Sequence, residues 1–265
     1  PATMGRAVEQ RRRKGNDEQE KIRKLFKDYV TNKDDNDFPF LYLLTGAPGT
    51  GKSHAVKLLQ DLADYDDNIG PVKTFAQYGI AALNVKGATL ASVIKQPMPE
   101  KDQHDMKVIV LNAKTLYEFC EDVSYYPDDH KKSISLIVID EISTVSPVTL
   151  AVFNARMKQV TGKDKPFGGI PVMFVGDFSQ LPPVGSVSIA RGIVELKIAD
   201  EKYKTCARRL RNKTGRSDVG GKKTGKYDDA SLFREGCNLL ASCRWIELTE
   251  QQQADDEQHL QVILK

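Results

Sequence analysis

The stretch GAPGTGKS, Gly46 to Ser53, constrains the fold more than any other part of this chain. It follows an apolar run, Phe38 to Thr45, that reads as a buried strand, and it precedes SHAVKLLQDLADY, which has helical periodicity. G-x-x-x-x-G-K-[ST] between a strand and a helix is the setting of a phosphate-binding loop. The glycines let backbone N–H groups turn inward at a helix N-terminus, where an anion meets both donors and the positive end of the helix dipole. Gly46, Ala47, Pro48, Gly49, Thr50 and Gly51 therefore cradle phosphates, with His54 beside them. Lys52 reaches the β- and γ-phosphates, and Ser53 ligates Mg²⁺. The competing reading, a glycine turn that binds nothing, is disfavoured by the strand–loop–helix context.

A nucleotide site needs a second metal anchor. SLIVID runs apolar on both faces into Asp140 and Glu141, as a central strand does. Asp140 would hold Mg²⁺ through water, and Glu141 would polarise the attacking water as general base. Acids at a strand end also cap helices, but the upstream phosphate loop favours the catalytic pair. PVMFVGDFSQLPPVG then supplies another parallel strand, Val172 to Val175, whose tip falls on the same sheet edge. Gln180 is placed there to hydrogen-bond the γ-phosphate or the attacking water, and Pro182 and Pro183 stiffen the backbone behind it. Two more strands are predicted at Val72 to Ala76 and Trp245 to Leu248, with helices at IAALNV and MKVIVLNAKTLYEFCEDV (106–123). This alternation predicts an α/β fold, a mainly parallel sheet with helices on both faces. Trp245, in an apolar strand, is expected in the core.

Composition excludes some classes. Charged residues are 28% and hydrophobic ones 40% of the 265, as in ordinary globular proteins, and no apolar run approaches the roughly 18 residues a membrane span needs. Cys120, Cys206, Cys237 and Cys243 lack C-x-x-C spacing, which fits reduced thiols in a nuclear or cytoplasmic protein that is not secreted. The four histidines share no zinc-ligand spacing. The N-terminal PATMGRAVEQRRRKG has no signal-peptide core and no Met at position 1, so the chain reads as a fragment of a longer one. Its RRRK run fits a solvated helix start better than an import signal. Residues 202–226 carry ten Lys/Arg against Asp218 alone, a basic loop that either contacts phosphate backbone or is merely solvated.

In order along the chain, GAPGTGKS, GIAALNVKGATLAS, IVIDEIS, FGG and GDFSQLPPV resemble the Pif branch of superfamily 1 DNA helicases, close to the RecD-like enzymes. The resemblance spans residues 16–262, and GDFSQLPPV and DEIS are its discriminating pieces. It implies a RecA-like P-loop NTPase with a small inserted subdomain at about residues 93–133. It also implies ATP and Mg²⁺ as cofactors, 5′-to-3′ movement on single-stranded DNA, unwinding of duplexes or quadruplexes, and roles in DNA repair and recombination. Gln19, in NDEQEKI, matches the adenine-reading position. Gly79, Gly87, Thr89 and Ser92 match the segment that grips single-stranded DNA.

The departures are local. Tyr78 stands where relatives carry a threonine before the glycine; its ring can stack on a base or pack against the protein. Ala91 replaces a histidine. Gln252 and Gln253 stand where relatives carry an arginine that reaches the γ-phosphate, and Arg234 and Arg244 are candidate substitutes. The expected organisation is a basic tail (1–15) and one motor half (16–265), with the second RecA-like half of the same protein absent. Two alternatives stay open: a stand-alone nucleotide- and single-strand-binding module with weak hydrolysis, and the helicase segment of a transposase.

Overall fold

The computed structural model describes residues 15–32, 40–84, 87–94, 112–129, 133–183, 186–198 and 229–252. Among these, α1 (Asp17–Thr31) leads into β1 (Leu41–Gly46), α2 (Lys52–Tyr65) and β2 (Val72–Ala76). Two short helices, α3 (Gly79–Asn84) and α4 (Leu90–Ile94), flank the short strand β3 (Ala88–Thr89). Then come α5 (Ala113–Val123), β4 (Leu136–Asp140), α6 (Pro147–Thr161), β5 (Val172–Val175), α7 (Asp229–Ala241) and β6 (Arg244–Leu248).

The six strands form one sheet in the order β3-β2-β4-β5-β1-β6, and every neighbouring pair is parallel. All strand C-termini therefore point to one edge, where the connecting loops of an open parallel sheet form ligand crevices. The central strands β4 and β5 are buried along their whole length. Alternate residues face two separate cores. Leu136, Val138, Met173 and Val175 pack with Ile22 and Phe26 of α1 and Val56 and Leu59 of α2. Ile137, Ile139, Val172 and Phe174 pack with Leu150, Phe153 and Met157 of α6 and with Phe119 and Val123 of α5. The predicted fold class is thus the observed one.

Several details differ from the sequence reading. Trp245 is 65% exposed, because β6 is an edge strand with only Leu248 fully buried, so the expectation of a core tryptophan fails. The helix predicted over 106–123 is capped at Asn112, whose extended backbone and side-chain acceptance from Thr115 N start α5 at Ala113; residues 106–111 lie outside the described ones. α1 likewise begins at its own cap, Asn16, so it starts beyond the RRRK run, which also lies outside. The basic loop 202–226 lies wholly outside. α6 was not foreseen: Ser146 caps it, Pro147 occupies its first turn and Gly162 ends it at φ 67°, but it is buried nearly all round and offers no polar stripe to read.

α7 crosses α6 closely enough that a Cβ on Gly236 would lie 1.9 Å from the Pro147 carbonyl oxygen. Backbone cannot yield there as a flexible side chain would, so Gly236→Ala is expected to cost about 1–3 kcal/mol. Urea unfolding followed by circular dichroism reads it; an unchanged midpoint would mean that the two helices part freely.

Candidate nucleotide-binding site

β1 ends at Gly46, at φ 154°, where a Cβ would lie 2.6 Å from the Leu248 carbonyl oxygen, so a side chain would collide with β6. Gly49 and Gly51 both take φ 85°, the left-handed region where glycine is favoured, and Gly51 hands the chain into α2. Thr50 Oγ1 donates to the Ala47 carbonyl at 2.8 Å and ties the loop internally. Lys52, in the first turn of α2, donates from Nζ to the carbonyls of Gly46 at 2.6 Å and Ala47 at 3.1 Å. Its charge is thereby held over the loop.

The tips of β4 and β5 complete the edge. Asp140 is buried at the end of β4, with Oδ1 accepting from Glu141 N at 2.9 Å. Burial pushes the Asp140 carboxyl up to about 6; the Glu141 charge adds to this, while the Glu141 N–H and the Lys52 ammonium oppose it. Glu141 itself sits at φ 52°, ψ 45°, an uncommon place for a side chain with a Cβ. Two bonds to its carbonyl, from Thr144 N at 2.9 Å and Thr144 Oγ1 at 2.7 Å, hold it there. Backbone strain of this kind concentrates at functional sites.

Beyond β5, Asp177 accepts from Ser179 Oγ at 2.6 Å, Ser179 N at 2.9 Å and Gln180 Nε2 at 3.1 Å. These bonds, the Ser179 hydroxyl first, hold its carboxyl below the usual carboxylate range. A carboxylate only accepts, so the amide nitrogen of Gln180 is the end that faces Asp177. The sequence reading places Gln180 at this tip without the orienting contact that Asp177 makes with it.

One cavity of about 570 Å³, within the range of small-ligand pockets, takes in residues of all three tips, with Asp140 and Asp177 outside its lining. Pro48, Gly49, Gly51, Lys52, Ser53 and His54 line its floor, Glu141 and Gln180 one end, and Asn16, Gln19 and Gln252 the other. Gln19 is buried; its Oε1 accepts from Asn16 N at 3.0 Å in a capping box, and its Nε2 donates to Gly51 O at 3.3 Å. A larger groove of about 740 Å³ runs between α1 and α2, but its walls alternate Lys21, Lys24 and Lys27 with Asp61 and Asp66 and carry no phosphate-binding backbone. The smaller cavity carries the phosphate-loop residues, Glu141 and Gln180, and is the candidate site. Neither Arg234 nor Arg244 lines it; Arg244 lies at the start of β6, the far end of the strand, with Nη1 3.4 Å from the Tyr42 hydroxyl.

The second predicted segment leaves the same edge from β2, where Ala76 is in register with Asp140. Gly87 approaches β2 so closely that a Cβ would lie 2.1 Å from Thr74 O, which accounts for that glycine. Thr89 caps α4, accepting from Ser92 N at 3.2 Å while Ser92 Oγ donates to Thr89 O at 2.8 Å. A Cβ on Gly79 would meet open space. Tyr78 is 43% exposed and Ile80 and Leu83 far more so, so the Tyr78 side chain is reachable from solvent.

A family model described as PIF1-like helicase matches residues 14–213. The chain belongs to that family. The ATP-dependent DNA helicase Pif1 of Psychrobacter sp. (strain PRwf-1) is 35% identical over 148 residues, covering 54% of this chain and 20% of its own length. The PIF1 of Xenopus laevis is 32% identical over 148 residues with the same coverage, 54% and 20%. A solved Bacteroides Pif1 bound to ssDNA has the same fold, with a TM-score of 0.54 at 22% identity, over 94% of this chain and 45% of that one. This chain thus spans about a fifth of the length of those curated relatives. The RecA-like α/β architecture is common to it and the solved structure.

Among the described residues, no helix is long and apolar enough to cross a membrane. Cys120, Cys237 and Cys243 are free thiols, and burial pushes Cys237 up to about 11 and Cys243 up to about 12.

Proposed function

We propose that this chain is the ATP-binding motor half of a 5′-to-3′ DNA helicase. The observation that carries the reading is the single cavity in which Lys52 and Ser53 of the phosphate loop face Glu141 and Gln180 from two other strand tips. Phosphates lie on the loop N–H groups and Lys52, Glu141 takes a proton from the attacking water, and Gln180 orients that water or the γ-phosphate. Gln19 faces the base.

The donors present fit Mg²⁺. A hydroxyl at Ser53 and a buried carboxylate at Asp140 are hard oxygen ligands of the kind Mg²⁺ takes, and the burden that burial places on the ionised Asp140 is what a divalent cation relieves. When bound, the metal supplies charge neutralisation for the phosphates. Single-stranded DNA would lie along Tyr78, Gly79, Gly87, Thr89 and Ser92, with Tyr78 offering an exposed ring for stacking. Residues 93–133 would form the inserted subdomain, although its described helix α5 sends Phe119 and Val123 into the main core. Translocation, and any part in DNA repair or recombination, would need a second RecA-like half.

One observation favours a second reading, a nucleotide- and single-strand-binding module with weak hydrolysis. Gln252, a neutral amide, lines the cavity close to where the resemblance places an arginine. Lys52→Ala is expected to weaken binding of a fluorescent ATP analogue at least about tenfold, the loss of one charged phosphate contact. Unchanged affinity would sink the phosphate-loop assignment. Hydrolysis stimulated by single-stranded DNA in the unsubstituted chain would mean that an arginine reaches the site from Arg234, Arg244 or another chain; binding with only background turnover is what an isolated motor half gives.

A further inference from the structure

The four residues after β6, Thr249 to Gln252, cross from the sheet edge over the phosphate loop. Glu18, in the first turn of α1, accepts from Thr249 Oγ1 at 2.7 Å, Thr249 N at 2.9 Å and Glu250 N at 3.3 Å. Asn16 Nδ2 donates to Glu250 Oε2 at 2.8 Å. Further along, Gln251 Nε2 donates to Pro48 O at 3.0 Å and Gln252 N to Gly49 O at 2.9 Å. The strap is therefore fastened to α1 at one end and to the phosphate loop at the other.

Glu18 does not line the cavity, but the residues on either side of its clamp do: Asn16 and Gln19 on α1, Gln252 on the strap. These three form the end of the cavity away from Glu141 and Gln180. β5 and β6 flank β1 on opposite sides, so the strap lies across the phosphate loop from Gln180, and a nucleotide held by its phosphates on Lys52 and Ser53 would turn its base to the strap side. Three hydrogen bonds on one carboxylate are charge-assisted and directional, so they fix the spacing of the two walls rather than merely attaching one to the other. The Thr249 hydroxyl and the two backbone N–H groups also hold the Glu18 carboxyl below the usual carboxylate range, the hydroxyl most strongly.

We propose that Glu18 is a positioning residue for base selection: through Thr249 and Glu250 it sets the gap between α1 and the strap into which the base fits. The proposal rests on the reading of this cavity as a nucleoside-triphosphate site. It makes the chain just after β6 a wall of that site.

The test measures binding of ATP, GTP and inorganic tripolyphosphate to the chain by displacement of a fluorescent ATP analogue. The variants are Glu18→Ala, Glu18→Gln, Thr249→Val and the Glu18→Ala/Thr249→Val pair, with melting temperatures recorded alongside. Glu18→Ala and Thr249→Val should each weaken ATP binding about tenfold, move the ATP-to-GTP ratio toward one and leave tripolyphosphate within twofold. The pair should be no worse than the worse single variant, and Glu18→Gln, which keeps one acceptor oxygen, should recover part of the loss. A lowered melting temperature with an unmoved ATP-to-GTP ratio overturns the positioning role and leaves the strap a structural tether. Tripolyphosphate affinity falling in step with ATP also overturns it. No binding of ATP by the unsubstituted chain overturns the nucleotide reading itself, and this proposal with it.

Discussion

Glu141→Gln is expected to bind ATP as the unsubstituted chain does and to hydrolyse it about 10²–10⁴-fold more slowly, the range a positioned general base contributes. The substitution isolates one property. Glutamine is isosteric, so it occupies the same left-handed backbone site at φ 52°, with the same strain, and the Thr144 bonds to the residue 141 carbonyl are untouched. What it removes is the ability to accept a proton. Single-turnover phosphate release with saturating nucleotide and single-stranded DNA, referred to the Lys52→Ala background, reads the rate, and analogue binding reads the affinity. Turnover at the unsubstituted rate would mean that the base lies elsewhere in the cavity.

Asp140→Asn should have the opposite effects on stability and on function. Burial raises the folded-state pKa of Asp140 from 3.8 to about 6, so the folded protein holds that proton more tightly than the unfolded chain does. The favourable contribution is complete below about pH 4, fades between about 4 and 6, and is gone above that; at pH 7 the ionised carboxylate costs about 3 kcal/mol. Asparagine carries no charge to bury and keeps an oxygen for Glu141 N. The variant should therefore melt about 6 °C or more above the unsubstituted chain at pH 7, with the gap closing as pH falls toward 4. Its affinity for Mg·ATP should fall, because the carboxylate is the metal's anchor in the proposed site. Calorimetry at pH 4 and 7 decides the first point: a gap that is equal at the two pH values would mean that the carboxylate is not strained by burial.

The parts of this site that could be read from sequence are those that motif spacing encodes locally. GAPGTGKS, the acids ending SLIVID and the glutamine after VMFV each sit a few residues from the strand that aims them, and the sheet brings the three tips to one edge as expected. What could not be read depends on distant partners or on uniform burial. Glu18 in a first helical turn looks like an ordinary complement to the helix dipole; only its bonds to Thr249 and Glu250 give it another role. α6 escaped because a helix buried on all sides has no period to detect. Trp245 was misjudged because apolar composition cannot tell an edge strand from an inner one, and strand order is a tertiary fact. Asn112 was passed over inside an apolar run because its capping conformation outweighs the periodicity around it.

The order of strands also has a temporal meaning. β1, which delivers the phosphate loop, is made early, yet its neighbours in the sheet are Val172–Val175 on one side and Arg244–Leu248 on the other. As the chain leaves the ribosome, β2 can meet β4 while β1 still has both edges open. Parallel pairing across such sequence separation is slow, because loop closure must precede any reward. The Gly46–Ser53 loop is therefore among the last parts to gain its walls, and the proposed site would not hold nucleotide before β6 and the strap behind it had emerged. On the proposed reading, nucleotide binding by a nascent chain would report that synthesis has passed Gln252.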